Sequence, residues 1–127
     1  MTKHFTYAII IKTIKGANKQ NYDKHKHKHI LTIGLNDQNT KTQKYDTITA
    51  YKMIENILTD YTTGYTMYET NGGYKHDDGT FVSEKSIRVE LMFISQALVF
   101  IIANKIKETL NQETIAYETI TSNSQLI

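Results

Sequence analysis

The chain contains 127 residues, a length typical of a single domain, and 39% of them are hydrophobic, which is enough for one core. It contains no cysteine, which excludes disulfide bonds, thiol nucleophiles, iron–sulfur clusters and cysteine-ligated zinc. The net charge of +2 is too small to indicate nucleic acid binding, and no apolar stretch approaches the roughly 20 residues of a membrane-spanning helix. No signal peptide is recognisable either, and the composition favours a cytoplasmic protein.

Charge is distributed unevenly along the chain. Residues 1–30 contain seven lysines and one aspartate, so this segment is strongly basic and the remainder is mildly acidic. Residues 4–14 are rich in β-branched and aromatic side chains, which predicts a strand, and the polar residues 16–28 predict a loop. We therefore predict a basic N-terminal strand and loop at residues 1–28 and a single α+β domain at residues 29–127.

The domain opens with a predicted strand at residues 29–35, followed by a helix. Asp46 or Thr47 can act as the N-cap of this helix, because a side-chain oxygen there accepts a hydrogen bond from one of the first free N–H groups. The helix is predicted to end near Gly64. Helical spacing places six apolar residues on one face: Ile48, Tyr51, Ile54, Ile57, Leu58 and Tyr61.

Two strands, at residues 65–72 and 81–93, are predicted on either side of Asp78 and Gly79. Glycine supplies the positive φ that a tight hairpin turn requires. The second of these strands alternates strictly between apolar and polar residues, which predicts one buried face and one open face. Its buried residues are predicted to be Ile87, Val89, Leu91 and Phe93, and its open face carries Glu84, Arg88 and Glu90.

Ser95 is the predicted cap of a second helix, and residues 114–120 predict the last strand. The apolar stripe of this helix contains Leu98, Ile102, Ile106 and Leu110. From residue 29 the order is β-α-β-β-α-β, the ferredoxin-like split β-α-β arrangement, in which one antiparallel sheet carries both helices on one face. The strand at residues 4–14 is an addition to this fold. The second helix carries more apolar side chains than one sheet face covers, which predicts a homo-oligomer, a dimer or larger.

A Lys-His repeat at residues 24–29 is the first group of residues suited to chemistry. In an extended chain, His25, His27 and His29 would lie on one side. This pattern is typical of a solvated basic loop, and the alternatives are an arm that contacts phosphate or RNA and a metal site. The Cα atoms of histidines at this spacing are roughly 6.5–7 Å apart, which is wide for three ligands of one metal ion. We therefore predict no metal site.

The hairpin tip and the open sheet face are the other two such groups. At the tip, His76 precedes Asp77 and Asp78 and can act as a general base, but aspartate and glycine are also what turn geometry favours. On the open face, Arg88 lies among Glu84, Glu90 and, from the preceding strand, Glu69. A cross-strand ion-pair ladder is the simplest interpretation, and a ligand pocket or a dimer interface is the alternative.

Known enzyme motifs are missing from the sequence. It contains no nucleophile elbow, no glycine-rich phosphate loop and no His-Glu-x-x-His. We therefore predict no catalytic residues and no cofactor, and the sequence favours a protein that is not an enzyme.

Two segments carry a resemblance to known proteins. Residues 33–37 (Ile-Gly-Leu-Asn-Asp) and 73–80 (Gly-Tyr-Lys-His-Asp-Asp-Gly-Thr), followed by Glu84 and residues 88–91, resemble small proteins of phages and prophages of low-GC bacteria. The layout, including residues 111–115, is also similar to the DUF3574 domain family. The chain further resembles, in size and in its lack of catalytic motifs, the Thoeris anti-defence sponges of phages, oligomers that sequester a cyclic ADP-ribose signal without degrading it.

These resemblances imply a function in phage counter-defence. The leading hypothesis is a non-catalytic protein that binds and sequesters an anionic, nucleotide-like signalling ligand. Its predicted ligand-binding residues are Arg88, Lys85, Lys75, Tyr74, Tyr68 and His76, with the cations on phosphate and a tyrosine stacking on the base. One alternative is a protein-contact inhibitor of a host defence nuclease complex that docks through residues 1–30. The other is a small ferredoxin-like enzyme that uses His76, Asp77 and Glu84.

Overall fold

The computed structural model describes residues 25–127, so the predicted strand at residues 4–14 and nearly all of the predicted N-terminal segment lie outside the described residues. The elements follow the predicted β-α-β-β-α-β order. They are β1 (His27–Gly34), α1 (Thr47–Tyr61), β2 (Thr66–Lys75), β3 (Phe81–Met92), α2 (Gln96–Thr109) and β4 (Ala116–Thr121). Strand β1 begins two residues earlier than predicted, and β2 continues three residues further, to Lys75.

The four strands form one antiparallel sheet in the order β2-β3-β1-β4. Its register places Tyr68, Arg88, Thr32 and Ala116 in one row across all four strands. Because side chains alternate along a strand, this row lies on the face opposite the buried residues Leu31 and Val89. The ferredoxin-like fold predicted from the sequence is therefore confirmed, and within the described residues one sheet face is covered and the other is open.

The core lies between the sheet and the two helices. Ile54 and Leu58 of α1 and Val99 and Ile102 of α2 are fully buried there. The prediction that Ile48 belongs to this core is wrong, since its side chain is 67% exposed. At about 100° per residue, Ile48 lies on the opposite side of the helix from Ala50, which is buried instead.

Side-chain caps fix the first turn of each helix. The carboxylate of Asp46 accepts a hydrogen bond from the backbone N–H of Thr49 at 2.7 Å, and the hydroxyl of Ser95 accepts one from the N–H of Leu98 at 3.2 Å. The strand before α2 is shorter than predicted, because Phe93 has a φ of +58° and leaves the sheet. The predicted place of Phe93 on the buried strand face is thus wrong. No helix within residues 25–127 is long and apolar enough to cross a membrane.

Candidate functional site: a cavity on the open sheet face

A cavity of about 450 Å³ lies at the end of the open sheet face where β1 stops. The β2–β3 hairpin forms one wall, the β1–α1 loop forms the second, and the turn after α2 forms the third. The residues that line it and bear on its chemistry are Gly34, Asp37, Lys41, Tyr74, Glu84 and Glu113. Its volume falls within the range of about 300–1,000 Å³ that is common for small-molecule sites.

Glu84 is held in the cavity by a backbone contact and a glycine. Its Oε2 accepts a hydrogen bond from the N–H of Asn36 at 2.9 Å. A Cβ at Gly34 would lie 2.7 Å from the carboxyl carbon and from both carboxyl oxygens of Glu84, so only glycine leaves this carboxylate its place. Among residues 25–127, Oε1 of Glu84 receives no hydrogen bond, which leaves it available to a bound molecule.

The loop wall is a network of polar groups around the buried carboxylate of Asp37. One oxygen of Asp37 accepts hydrogen bonds from the N–H groups of Asn39 and Thr40, at 2.9 and 3.2 Å, and the other accepts one from the side-chain amide of Asn111 at 2.9 Å. The Asn111 amide, followed by the two N–H groups, lowers the pKa of Asp37, so it stays ionised. Gln112 also donates to the carbonyl of Asn36 at 2.7 Å. These bonds join two loops that are more than 70 residues apart in sequence into one wall.

Among residues 25–127, carboxylates outnumber cations around the cavity. In this part of the chain Glu84, Asp37 and Glu113 line it against a single lysine, Lys41. Carboxylate oxygens accept hydrogen bonds from hydroxyl and amide groups and attract cations, whereas they repel phosphate. Tyr74 is 49% exposed at the cavity and offers an aromatic face. The cavity is therefore suited to a neutral or cationic molecule that carries hydroxyl donors and a flat ring.

Arg88 and Tyr68 lie on the open face, but outside the residues that line the cavity. The guanidinium of Arg88 contacts Glu118 at 3.0 Å, the hydroxyl of Tyr68 at 3.3 Å and the hydroxyl of Thr32 at 3.4 Å. The hydrogen bonds to Tyr68 and Glu118 raise the pKa of Arg88. All three contacts come from strands that the sequence places far apart, so the guanidinium joins the four strands rather than facing the cavity.

The open face does carry ion pairs, but the predicted partners of Arg88 are wrong, since within residues 25–127 it forms no salt bridge with Glu69, Glu84 or Glu90. Arg88 pairs with Glu118, and Lys28 pairs with Glu90, which also accepts a hydrogen bond from Tyr68 at 2.7 Å. The Lys28 ammonium, followed by the Tyr68 hydroxyl, lowers the pKa of Glu90. The predicted place of Glu69 in this ladder is wrong, because Glu69 lies opposite Ile87 in the register and therefore on the helix-facing side.

The remaining predicted ligand residues are spread over the hairpin. Side chains an even number of residues apart on a strand share a face. Lys75 therefore lies on the same face as Met67, and Lys85 on the same face as Ile87, which is the helix-facing side opposite the cavity. His76 follows β2 at the hairpin tip, where its ring meets that of Tyr74 at 5.2 Å. Of the six predicted residues, Tyr74 alone lines the cavity, so the six do not form one site in the structure.

The histidine repeat continues into β1 as an alternating pattern. His27 and His29 lie on the helix-facing side, with ring centres 6.4 Å apart, while Lys28 reaches Glu90 on the open face. His29 is buried, and its Nδ1 lies 2.7 Å from the hydroxyl of Tyr117. Burial lowers the pKa of His29, and the neighbouring His27 lowers it further. Within residues 25–127, no three His, Cys, Asp or Glu side chains are grouped closely enough to hold a metal ion.

Sequence reasoning missed Gly34, Asp37 and the turn around Asn111 as parts of one site. A glycine inside a strand often marks a place where another group approaches the backbone closely. Gly34, within the predicted first strand, could have indicated such an approach. Nothing in the sequence indicates that the loop at Asp37 meets the turn at Asn111, because the contact depends on how β1 and α2 end at the same edge of the sheet.

The fold and the cavity define the class of protein as a small ferredoxin-like α+β domain in which residues 25–127 leave one sheet face uncovered. No protein-family model and no curated protein matches the chain, so the resemblance to DUF3574 has no support from these comparisons. Solved structures of the same fold do match. A phage SAM lyase in complex with S-methyl-5′-thioadenosine matches with a TM-score of 0.59 and 17% identity over 82% of this chain and 87% of the other.

Two further structures show the same fold. The phage SAM lyase in its apo state gives a TM-score of 0.54 and 16% identity over 84% of this chain and 98% of the other. A CutA1 from Pyrococcus horikoshii OT3 gives a TM-score of 0.50 and 17% identity over 77% of this chain and 86% of the other. At these identities the likeness establishes the arrangement of strands and helices. The chain thus resembles a phage protein that acts on a nucleoside-containing molecule, as well as CutA1.

Proposed function

We propose that the chain binds a nucleoside-like small molecule of the S-adenosylmethionine class in the cavity on the open sheet face. The observation that carries the proposal is the carboxylate of Glu84: Asn36 holds one of its oxygens, and within residues 25–127 the other receives no hydrogen bond. A phage protein of the same fold bound to S-methyl-5′-thioadenosine supports this choice of ligand. A role in phage counter-defence, in which the protein withdraws such a molecule from the host, is part of the proposal.

The cavity favours a neutral or cationic nucleoside over the anionic ligand expected from the sequence. Oε1 of Glu84 can accept a hydrogen bond from a ribose hydroxyl, and the ring of Tyr74 can stack on an adenine. The sulfonium group of S-adenosylmethionine carries a positive charge, which Glu84 and Glu113 attract. Within the described part of the chain, a phosphate in the same place would meet these carboxylates and one lysine, Lys41.

Capture without cleavage is the form of the proposal that the lining residues support. Within the described residues 25–127 no histidine lines the cavity, and both oxygens of Asp37 already accept hydrogen bonds, so Asp37 is occupied in holding the loops. The alternative of a protein-contact inhibitor depends on residues 1–30, nearly all of which lie outside the described residues, and it stays a prediction.

Titration calorimetry with S-methyl-5′-thioadenosine, S-adenosylmethionine and adenosine monophosphate tests the proposal. We expect the first two to bind and the phosphorylated nucleoside to bind more weakly. Glu84→Gln removes the charge from the hydrogen bond, so we expect an affinity loss of about tenfold to a hundredfold. Glu69→Gln, on the opposite face of the same hairpin, is the matched control and should bind as the unmodified protein does.

Two outcomes would contradict the proposal. If none of the three compounds binds, or if Glu69→Gln and Glu84→Gln lose affinity equally, the cavity is not the site. Mass spectrometry of S-adenosylmethionine after incubation separates capture from cleavage. Recovery of the intact molecule supports capture, and conversion to S-methyl-5′-thioadenosine would show that the protein is an enzyme.

A further inference from the structure

The turn that ends helix α2 has a recognisable backbone geometry. The N–H of Gln112 donates to the carbonyl of Lys107 at 2.9 Å, and the N–H of Asn111 donates to the carbonyl of Glu108 at 3.3 Å. Asn111 has a φ of +50°. Two such bonds around a left-handed residue define a Schellman motif, in which Gln112 follows the left-handed residue. The backbone of this turn thus closes the helix without help from the side chains of Asn111 and Gln112.

These two side chains depart from what the motif favours. Glycine is usual at the left-handed position, and an apolar residue that packs back on the helix often follows it. Here both positions hold amides that bond to the β1–α1 loop. The side-chain amide of Asn111 donates to Asp37 at 2.9 Å. That of Gln112 donates to the carbonyl of Asn36 at 2.7 Å. Departure from a local preference indicates a function beyond closing the helix.

Asn36 connects Gln112 with the carboxylate in the cavity. The carbonyl of Asn36 accepts the bond from Gln112, and its N–H donates to Oε2 of Glu84 at 2.9 Å. The side chain of Gln112 is buried, and its amide also donates to the carbonyl of Leu110 at 3.4 Å. A buried amide that is anchored at the end of α2 therefore holds the backbone of Asn36, and this backbone holds Glu84.

We propose that Gln112 is a positioning residue of the ligand site, which keeps the N–H of Asn36 directed at Glu84 so that Oε1 of Glu84 meets the bound nucleoside. A hydrogen bond weakens steeply as its angle closes, so a modest rotation of Asn36 would release the carboxylate. A carboxylate that is held in place before the ligand arrives loses less conformational freedom on binding, which raises affinity. The inference rests on the proposed function for the identity of the ligand.

A direct contact between Gln112 and the ligand is the alternative, because Gln112 also lines the cavity. Its amide already donates to two backbone carbonyls, which favours the positioning role. The two roles differ in how they depend on Glu84. Positioning acts through the carboxylate, so its effect must disappear when the carboxylate is removed, whereas a direct contact would persist.

A double-mutant cycle of Gln112→Met and Glu84→Ala, measured by calorimetry with S-methyl-5′-thioadenosine, tests the proposal. Methionine resembles glutamine in length, has no donor, and is apolar as this position of the motif favours. We expect Gln112→Met to weaken binding about fivefold to tenfold in the unmodified protein and less than about twofold in Glu84→Ala. Gln43→Met is the matched control, since the half-buried Gln43 amide donates to the carbonyl of Tyr45 at 2.9 Å in the same loop. It should leave the affinity unchanged.

The amide proton of Asn36 provides a readout that needs no ligand. A hydrogen bond to a carboxylate is stronger than one to a neutral group, and it moves the amide proton signal downfield. In nitrogen–proton correlation spectra, Gln112→Met and Glu84→Ala should therefore both move the Asn36 signal upfield, and Gln43→Met should leave it nearly in place. The same spectra show whether each variant is folded. If Gln112→Met is not, Gln112→Asn takes its place, because its amide is one methylene too short to reach the Asn36 carbonyl.

The outcomes separate this inference from the proposed function. Equal loss of affinity with and without Glu84 overturns the inference and leaves the proposed function in place, because Gln112 would then contact the ligand itself. An Asn36 signal that does not move in Gln112→Met also overturns it, as does an equal loss of affinity in Gln43→Met. If the unmodified protein binds no nucleoside, the proposed function fails, and an upfield shift of Asn36 in Gln112→Met still supports the inference that Gln112 holds Glu84 in place.

Discussion

Gly34→Ala is the sharpest test of how the cavity is built. The new Cβ would lie 2.7 Å from the carboxyl carbon and from both oxygens of Glu84, which is closer than van der Waals contact allows. The atoms that must move belong to the end of a flexible side chain, so the fold should survive while the carboxylate leaves its place. The hydrogen bond from the N–H of Asn36 to Glu84 is then lost.

The expected cost follows from two opposing effects. A hydrogen bond to a charged group contributes about 1.5–3 kcal/mol, and we expect the lower end because Glu84 is half-buried and water replaces part of the bond. Alanine also restricts the unfolded chain, which stabilises the protein by about 0.4–1 kcal/mol. The net loss in the free energy of unfolding should be about 1 kcal/mol, or roughly 4 °C in Tm.

Thermal and urea unfolding of four variants provide the measurement. Gly64→Ala is the control, since a Cβ there meets nothing within 4 Å, and it should be slightly stabilising. In a Glu84→Ala background the obstacle is gone, so Gly34→Ala should stabilise there as Gly64→Ala does. Equal destabilisation by Gly34→Ala with and without Glu84 would refute the reasoning, because the cost would then have another source.

Three further predictions concern other parts of the molecule. Burial and the nearby His27 lower the pKa of His29 from its ordinary value of 6.5, so the unfolded chain binds a proton that the folded protein resists. The free energy of unfolding should therefore fall as the pH drops below about 6.5, and His29→Gln should flatten that dependence in urea unfolding. Arg88→Gln should cost less than about 1 kcal/mol in the free energy of unfolding, because its ion pair is solvent-exposed, and calorimetry should show nucleoside affinity unchanged. Ser95→Ala removes the cap of α2 and should cost about 1 kcal/mol in thermal unfolding, whereas a loss below a few tenths would show that the Leu98 N–H finds another acceptor.

The fold was predictable because its signals are local. Alternation in β3 identified Ile87, Val89 and Leu91 as buried, and Ser95 marked the start of α2. The errors lie at the ends of helices and strands, where the periodic pattern of apolar residues stops. Ile48 lies in the first turn of α1, and Phe93 lies just after β3 with a positive φ, which is a conformation that no periodicity reveals.

The site was less predictable because it depends on contacts across the sheet. The sequence identified Tyr74 and Glu84 as candidates, but it grouped Glu84 with Arg88, whose guanidinium contacts Glu118 on β4 instead. Strand order decides that contact, since β4 lies beside β1 and not beside β3. The cavity wall likewise depends on Asp37 meeting Asn111, which required the ends of β1 and α2 to be placed in space first.

The use of the single arginine constrains what the protein can bind. Arginine is the side chain best shaped to hold a phosphate. The guanidinium of Arg88, however, already donates hydrogen bonds to Thr32, Tyr68 and Glu118. Ile30 lies between Glu90 and Glu118 in the register and is only 5% exposed, so these charged side chains shield an apolar residue on the open face. Within residues 25–127, phosphate recognition at the cavity would therefore fall to Lys41, because Lys75 and Lys85 lie on the opposite face of the hairpin. Adenosine monophosphate should therefore bind more weakly than S-methyl-5′-thioadenosine in calorimetry, and equal affinity for the two would contradict this interpretation of the cavity's charge.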